Sequence, residues 1–326
     1  MAKNWKSRTE RHDHYQEVTD KIIAVLERGV LPWRRQWDAG RCDVPINAVT
    51  GHVYRGINRV MLDMLGMGFG ADPRWCSYRQ ALARGWQVRH GETGSRIYFY
   101  RRIERKAAEP GDGREGDTDT RRGFFPLLRT YTVFHASQID GIPEYAPAQA
   151  GEHAWRKPDA VQKIIDASGI EVRTGGDRAC YIPAEDVMCL PPAHAFDSAN
   201  LWAEVALHEF SHASGHPSRL NHKLSTIFGS SDYAFEELVV SLATGMVGPE
   251  LGVGVDLDNQ ASYIENWLGA LRKNQRTIFR AAAEAQRVAD YILGLHPDYA
   301  AAHPPAAEHS DEEAAEDSNN AINDVA

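Results

Sequence analysis

The spacing of hydrophobic positions changes along this chain. Between residues 10 and 30, Val18, Ile22, Ile23, Val25 and Leu26 recur at helical spacing and Gly29 supplies a stop, which predicts one helix. Up to about residue 105 the pattern breaks into short elements rich in Trp, Tyr, Gly and Arg. Two runs read as strands, RIYFYRRI at 96–103 and TYTVFHASQI at 130–139. Between them, Gly, Asp and Arg replace the apolar residues and predict a flexible loop at about 106–123. Helical periodicity returns after residue 157. PDAVQKIIDASG predicts a helix ending at Gly169, and IEVRTGG with ACYIPAEDVMCLP predicts two short strands around a turn. Further helices are expected at about 198–215, 233–246, 259–271 and 276–293. The pattern as a whole is α+β. A mixed first domain spans 1–142, a proline-containing linker 143–156 and a mainly helical second domain 157–302. The alanine- and acid-rich tail at 303–326 is expected to be disordered.

Charge sharpens this division. Residues 1–105 hold 19 Lys and Arg against 11 Asp and Glu, so the net charge of −9 hides a basic half of +8 and an acidic remainder of −17. Sixteen of those 19 cations are arginine, whose planar fork suits phosphate and stacked bases. A polyanion partner is therefore expected for the first part alone. No apolar run approaches the roughly 18 residues of a membrane span, so no membrane partner is expected. The polar N-terminal stretch lacks a secretory apolar core. Cys42, Cys76, Cys180 and Cys189 form no C-x-x-C pair, which fits a reducing cytoplasmic setting with cysteines as small core residues.

One run carries definite chemistry. His208-Glu209-Phe210-Ser211-His212 has the form H-E-x-x-H within a helical pattern that Gly215 ends. Residues four apart share a helix face, so His208 and His212 offer two imidazoles to one cation. Glu209 lies beside them and is the expected general base. Zn2+ is the expected cation, with another divalent ion such as Mn2+ as the alternative. A catalytic zinc takes three protein ligands. Ser218 occupies the position of the third metzincin histidine, which excludes that subclass. The next helix, YAFEELVVSLATGM, offers Glu236 and Glu237, in the manner of gluzincins. Motif form favours Glu237, with polar Ser241 four residues on; helical phase favours Glu236, which flanks Leu238 and Leu242. An Asp, Glu204 or a backbone carbonyl is expected to orient the histidines.

The first domain interleaves aromatic and basic residues. Single-stranded nucleic acid is held by cationic grooves with aromatic platforms for base stacking. Trp33, Trp37, Tyr54, Trp75 and Tyr78 are the candidate platforms; Arg34, Arg35, Arg55, Arg59, Arg79 and Arg89 are the candidate phosphate contacts, with Asn58 beside them.

Several strings, taken together, resemble one known family. PWRRQW, NAVTGHVYRGIN, DPRWCSYRQA and VFHASQIDGI resemble the N-terminal single-stranded-DNA-binding domain of the plasmid antirestriction ArdC family. HEFSHASGHPSRLNH, FGSSDYAFEELV and ASYIENWLGALRKNQRTIFRAAAEAQRVADYI resemble its C-terminal zincin-like metallopeptidase domain. The resemblance implies a cytoplasmic protein of conjugative elements that binds single-stranded DNA and protects incoming DNA. A protein substrate or a restriction-system protein is the implied second partner. It carries over onto His208, Glu209 and His212 and marks Glu236 and Glu237. Family members often carry a further Glu where this chain has Ser241. Two function classes stand side by side: a zinc-dependent peptidase, or a non-catalytic DNA-binding protector with a structural or vestigial metal site. A role as an accessory to plasmid priming is a third, and no acidic cluster of the nucleotidyl-transfer type is visible.

Overall fold

Side-chain caps fix where the principal helices begin. Asp13 opens the helix α1 (His14–Leu26), its carboxylate accepting from the backbone N–H groups of Tyr15 and Gln16 at 3.0 and 3.2 Å. Ser198 and Ser230 do the same for α5 (Ala199–Ala213) and α6 (Ser231–Leu251). The computed structural model describes residues 13–33, 44–104, 124–146, 159–222, 230–254 and 261–303. Arg34, Arg35, Trp37, the loop expected at 106–123 and nearly all of the expected tail and linker lie outside them.

Before α5 the chain forms β1 (Ile46–Asn47), α2 (Gly56–Gly66), β2 (Arg74–Ser77), α3 (Tyr78–Ala83) and β3 (Gln87–Val88). It continues through β4 (Ser95–Glu104), β5 (Phe124–His135), β6 (Ile139–Asp140) and α4 (Asp159–Ser168). Three strands precede α5: β7 (Glu171–Thr174), β8 (Cys180–Ile182) and β9 (Val187–Leu190). After α6 come α7 (Ala261–Lys273), α8 (Thr277–Gly294) and α9 (Pro297–Ala302).

These elements gather into two compact units that interleave in sequence. The larger contains the described residues of Met1–Pro45, Val53–Ala71 and Tyr145–Pro304; the smaller contains those of Ile46–His52 and Asp72–Glu144. At the centre of the larger unit lies α6, buried from Glu236 to Leu251 and packed against α5, α7 and α8. A helix apolar on all sides needs cover on all sides. Part of that cover comes from the N-terminal segment. Trp33 is buried, stands 5.8 Å from the ring of Trp267 on α7, and donates its indole N–H to Ser241 Oγ on α6 at 3.0 Å. Tyr15 of α1 meets Phe279 of α8 edge-on at 4.8 Å, and Thr19 donates to the Gln275 carbonyl at 2.8 Å. Arg59 of α2 is buried against Asp63 at 2.6 Å, with Glu250 of α6 at 3.9 Å. A sheet of order β7-β9-β8, with β9 central, packs against α5 through β8 and β9.

In the smaller unit the sheet order is β1-β2-β5-β4, with β4 and β5 in a long antiparallel ladder. Cys76, Ala81, Val88 and Ile139 form its core, flanked by Val49, Trp86 and Phe134.

Three sequence expectations change here. The region read as short elements contains α2, which opens on Gly56 without a side-chain cap. It buries Asn58, Arg59 and Asp63 with its apolar residues. The string ACYIPAEDVMCLP forms two strands, β8 and β9. And α6 runs past Gly245, Gly248 and Pro249 to Leu251, ending at Gly252 in the left-handed conformation. Packing on every side there overrides local helix breakers.

Gly245 is required by close approach. A Cβ at this position would lie 2.8 Å from the Trp33 carbonyl oxygen and 3.2 Å from its ring. Because the first of these is backbone, Gly245→Ala is expected to destabilise by about 1–3 kcal/mol. Urea denaturation should show a lower midpoint at unchanged slope; an unchanged midpoint would contradict the contact.

Candidate metal centre

Burial sets the orientation of α5. Ala203, Ala206, Leu207, Phe210 and Ala213 face the core, while Leu201, Trp202 and Val205 are only partly covered. That rotation turns His208 and His212 together toward α6. Their rings stand 5.1 Å apart at 74°.

Both acidic residues of α6 are buried, and they take different places. Glu237 faces the two Nε2 atoms, 3.7 Å from His208 and 3.4 Å from His212. One donor atom from each of His208, His212 and Glu237 falls within 4.8 Å of the others. Glu236 lies behind the ring and meets His212 Nδ1 at 2.7 Å. A carboxylate at that nitrogen fixes the tautomer that leaves Nε2 as the ligand atom. Adjacent residues thus divide the roles the sequence left open, Glu237 in the donor cluster and Glu236 orienting His212.

Electrostatics follow from this packing. Burial alone would push the Glu237 carboxyl up, but His212 and His208 outweigh it and hold it below its usual value. Burial raises Glu209, with Glu237 adding to the effect. Glu209 also accepts from the backbone N–H of Tyr181, on the outer edge of β8.

Other groups at the centre were not visible in the sequence. Tyr233 and Tyr263 bring their hydroxyls within 3.5 Å of each other, and Tyr233 hydrogen-bonds Glu237. Tyr233 lies in the first turn of α6, and one helical turn places it beside Glu237. Arg219 donates through Nε to the Ala213 carbonyl at 2.7 Å and is ion-paired with Asp186. Tyr181 donates to the same Asp186 at 2.8 Å. This clamp fastens the β8–β9 turn to the end of α5 and holds β8 beside Glu209.

The expected DNA contacts separate into several environments. Trp33, Tyr54, Asn58 and Arg59 are buried in the larger unit, and Trp75 is fully buried in the smaller. These five are core residues here, because each aromatic or polar group has packing partners in place of solvent. Arg55 pairs with Asp290 at 2.5 Å. Arg89 is exposed and engaged by Glu92 at 2.7 Å and Asp140 at 3.4 Å. Arg79 is partly covered, and Tyr78 is 47% exposed.

Residues 159–284 match the family described as zincin-like metallopeptidase, and residues 12–134 match the N-terminal domain of anti-restriction factor ArdC. The metal-free crystal structure of the antirestriction ArdC protein from the R388 plasmid aligns with TM-score 0.74 at 37% identity. That alignment covers 87% of this chain and 98% of that one. The chain belongs to the ArdC antirestriction family. The Mn(II)-bound structure of the R388 ArdC protein aligns with TM-score 0.70 at 35% identity, covering 88% and 99% of the two chains. The Sinorhizobium fredii protein y4eC is 37% identical over 292 residues, 88% of this chain and 93% of its own length. DNA primase TraC of Escherichia coli is 37% identical over 297 residues, 86% of this chain; the chain spans only 27% of that relative's length.

His212 makes this ArdC-type centre sensitive to protons. Burial would lower its pKa, but Glu236 and Glu237 outweigh burial and push it up to about 10. Without a cation, the protonated ring therefore stabilises the fold below about pH 6.5, and this contribution is lost as pH rises through about 10. A cation requires the neutral ring and displaces the proton. Apparent affinity for Mn2+ is expected to rise with pH across the neutral range, with proton release. Calorimetric titration in two buffers of different ionisation enthalpy measures this; equal apparent enthalpies and a pH-independent affinity would contradict it.

Proposed function

We propose that this chain is an antirestriction protein that binds single-stranded DNA and carries a divalent-cation-dependent peptidase in its larger unit. The observation that carries the reading is the convergence of His208, His212 and Glu237 beside Glu209. The donor set fits a cation. Glu237 Oε2 is buried with no hydrogen-bond partner among the described residues. Two imidazoles and one carboxylate also match the composition of catalytic zinc sites. Zn2+ is the proposed ion and Mn2+ the alternative, the latter supported by the Mn(II)-bound R388 structure.

A cation held by His208, His212 and Glu237 would polarise a substrate carbonyl and acidify a water. The rest of the chemistry belongs to the chain. Glu209 takes a proton from water and returns it to the leaving amine. Its raised pKa brings it closer to working pH, where a general base is most effective. Burial keeps the hydroxyls of Tyr233 and Tyr263 protonated, so both can donate to an oxygen gaining negative charge. The outer edge of β8, where Glu209 holds the Tyr181 N–H, is the side from which an extended peptide would reach the base. The second partner is then a protein substrate, and a restriction-system protein suits an antirestriction family.

The DNA-binding half of the proposal is supported by the match to the ArdC N-terminal domain and by exposed residues of the smaller unit. Tyr78, Arg84, Arg89 and Arg96 are exposed there and supply a stacking ring and cations. No helix among the described residues is long and apolar enough to cross a membrane.

One paired experiment tests both halves. Cleavage of unfolded, dye-labelled casein and binding of a dT oligonucleotide are measured on two variants beside the wild type. Glu209→Gln should lower cation-dependent cleavage by about 100-fold or more at unchanged metal content and DNA affinity. Tyr78→Ala should weaken DNA binding by about 1–3 kcal/mol at unchanged cleavage. No cation-dependent cleavage by the wild type, or full cleavage by Glu209→Gln, sinks the peptidase. Undiminished DNA binding by Tyr78→Ala sinks the stacking role.

A further inference from the structure

The sequence offered its cysteines as small core residues, and Cys76 is one, fully buried in the smaller unit. Cys180 and Cys189 are placed differently. They are direct register partners across the antiparallel β8–β9 ladder. Both are only partly buried, so solvent reaches the pair. Side chains of register partners lie on one face of a sheet. Their Cα atoms stand about 4.5–5.5 Å apart in such a ladder, within the range of about 4.4–6.8 Å that a disulfide spans. The two thiols are also in hydrogen-bonding contact.

We propose that Cys180 and Cys189 form an oxidisable cross-strand dithiol that takes small-molecule disulfides by thiol–disulfide exchange and closes to an intramolecular disulfide. The thiolate of Cys180, on the edge strand, attacks one sulfur of the small disulfide. A mixed disulfide forms at Cys180 and one small thiolate leaves. The thiolate of Cys189 then attacks the Cys180 sulfur, forming the Cys180–Cys189 bond and expelling the second small thiolate. Two protein thiols are oxidised, one small disulfide is reduced, and the two protons end on the released thiols. The bond ties β8 to β9 one residue from Tyr181, whose N–H is held by Glu209. Oxidation thus acts on the strand beside the candidate base, and the chemistry itself requires neither a bound cation nor peptidase activity.

Oxidised glutathione serves as the probe on the native full-length chain. Burial and the facing thiol raise the Cys180 pKa, so the reaction is run at mildly alkaline pH. Remaining thiols are then alkylated and the chain is cleaved after Glu185, which lies between the two cysteines. The expected product is a pair of peptides, containing Cys180 and Cys189, that stay joined until reduced. Cys180→Ser should instead keep a glutathione adduct on Cys189, because no second thiol is present to expel it. Persistent glutathione on either cysteine of the wild type, or alkylation of both after exposure, would overturn the proposal.

Discussion

Two adjacent carboxylates buried in one apolar helix constrain everything around them. Glu236 and Glu237 are only 5% and 3% exposed on α6, where an isolated negative charge would be costly. The two histidines of α5 answer both. His212 spans the pair, meeting Glu236 through Nδ1 and Glu237 through Nε2, and His208 approaches Glu237. A proton on His212 offsets part of that charge when no cation is present. A divalent ion at the donor cluster would balance it better and also satisfy the remaining oxygen of Glu237. The same packing that makes the site costly without a positive charge therefore gives it affinity for one.

Such a helix has to be enclosed from all sides, and the enclosure draws on distant parts of the chain. Trp33 packs across Gly245 and bonds Ser241, while α2 seats Arg59 against Asp63 and Glu250. Segments that a linear reading assigns to a first domain thus complete the unit that holds the donor cluster. Ser241 belongs to the same enclosure. Its hydroxyl receives the Trp33 indole, and the cluster of His208, His212 and Glu237 is complete without it.

The candidate centre was largely legible in the sequence, because H-E-x-x-H and the following acidic pair are local signals on capped helices. Ser198 and Ser230 cap those helices, and α6 runs on to Leu251, beyond the expected end at 246. The division between Glu236 and Glu237 was not legible, since both are buried and only the rotation of α5 against α6 separates them. The helix α2 was hidden for a different reason: its string reads as part of an arginine cluster, and its polar Asn58, Arg59 and Asp63 are buried with its apolar residues. The aromatic and arginine clusters divide, with Tyr78 and Arg89 exposed and other members buried. Trp33, Trp75 and Arg59 share the composition of a nucleic-acid surface, yet each has a packing or ion-pair partner that only the fold reveals. The pairing of Cys180 with Cys189 is likewise a matter of register, which spacing along the chain does not state.

The most direct test is anomalous diffraction at the metal edge from crystals of the Zn2+- or Mn2+-loaded protein. One peak at about 2.0–2.2 Å from Nε2 of His208, Nε2 of His212 and a carboxylate oxygen of Glu237 is the expected result, with Glu236 remaining on His212 Nδ1. A peak coordinated by Glu236 in place of Glu237, or no peak at these residues, would contradict the assignment.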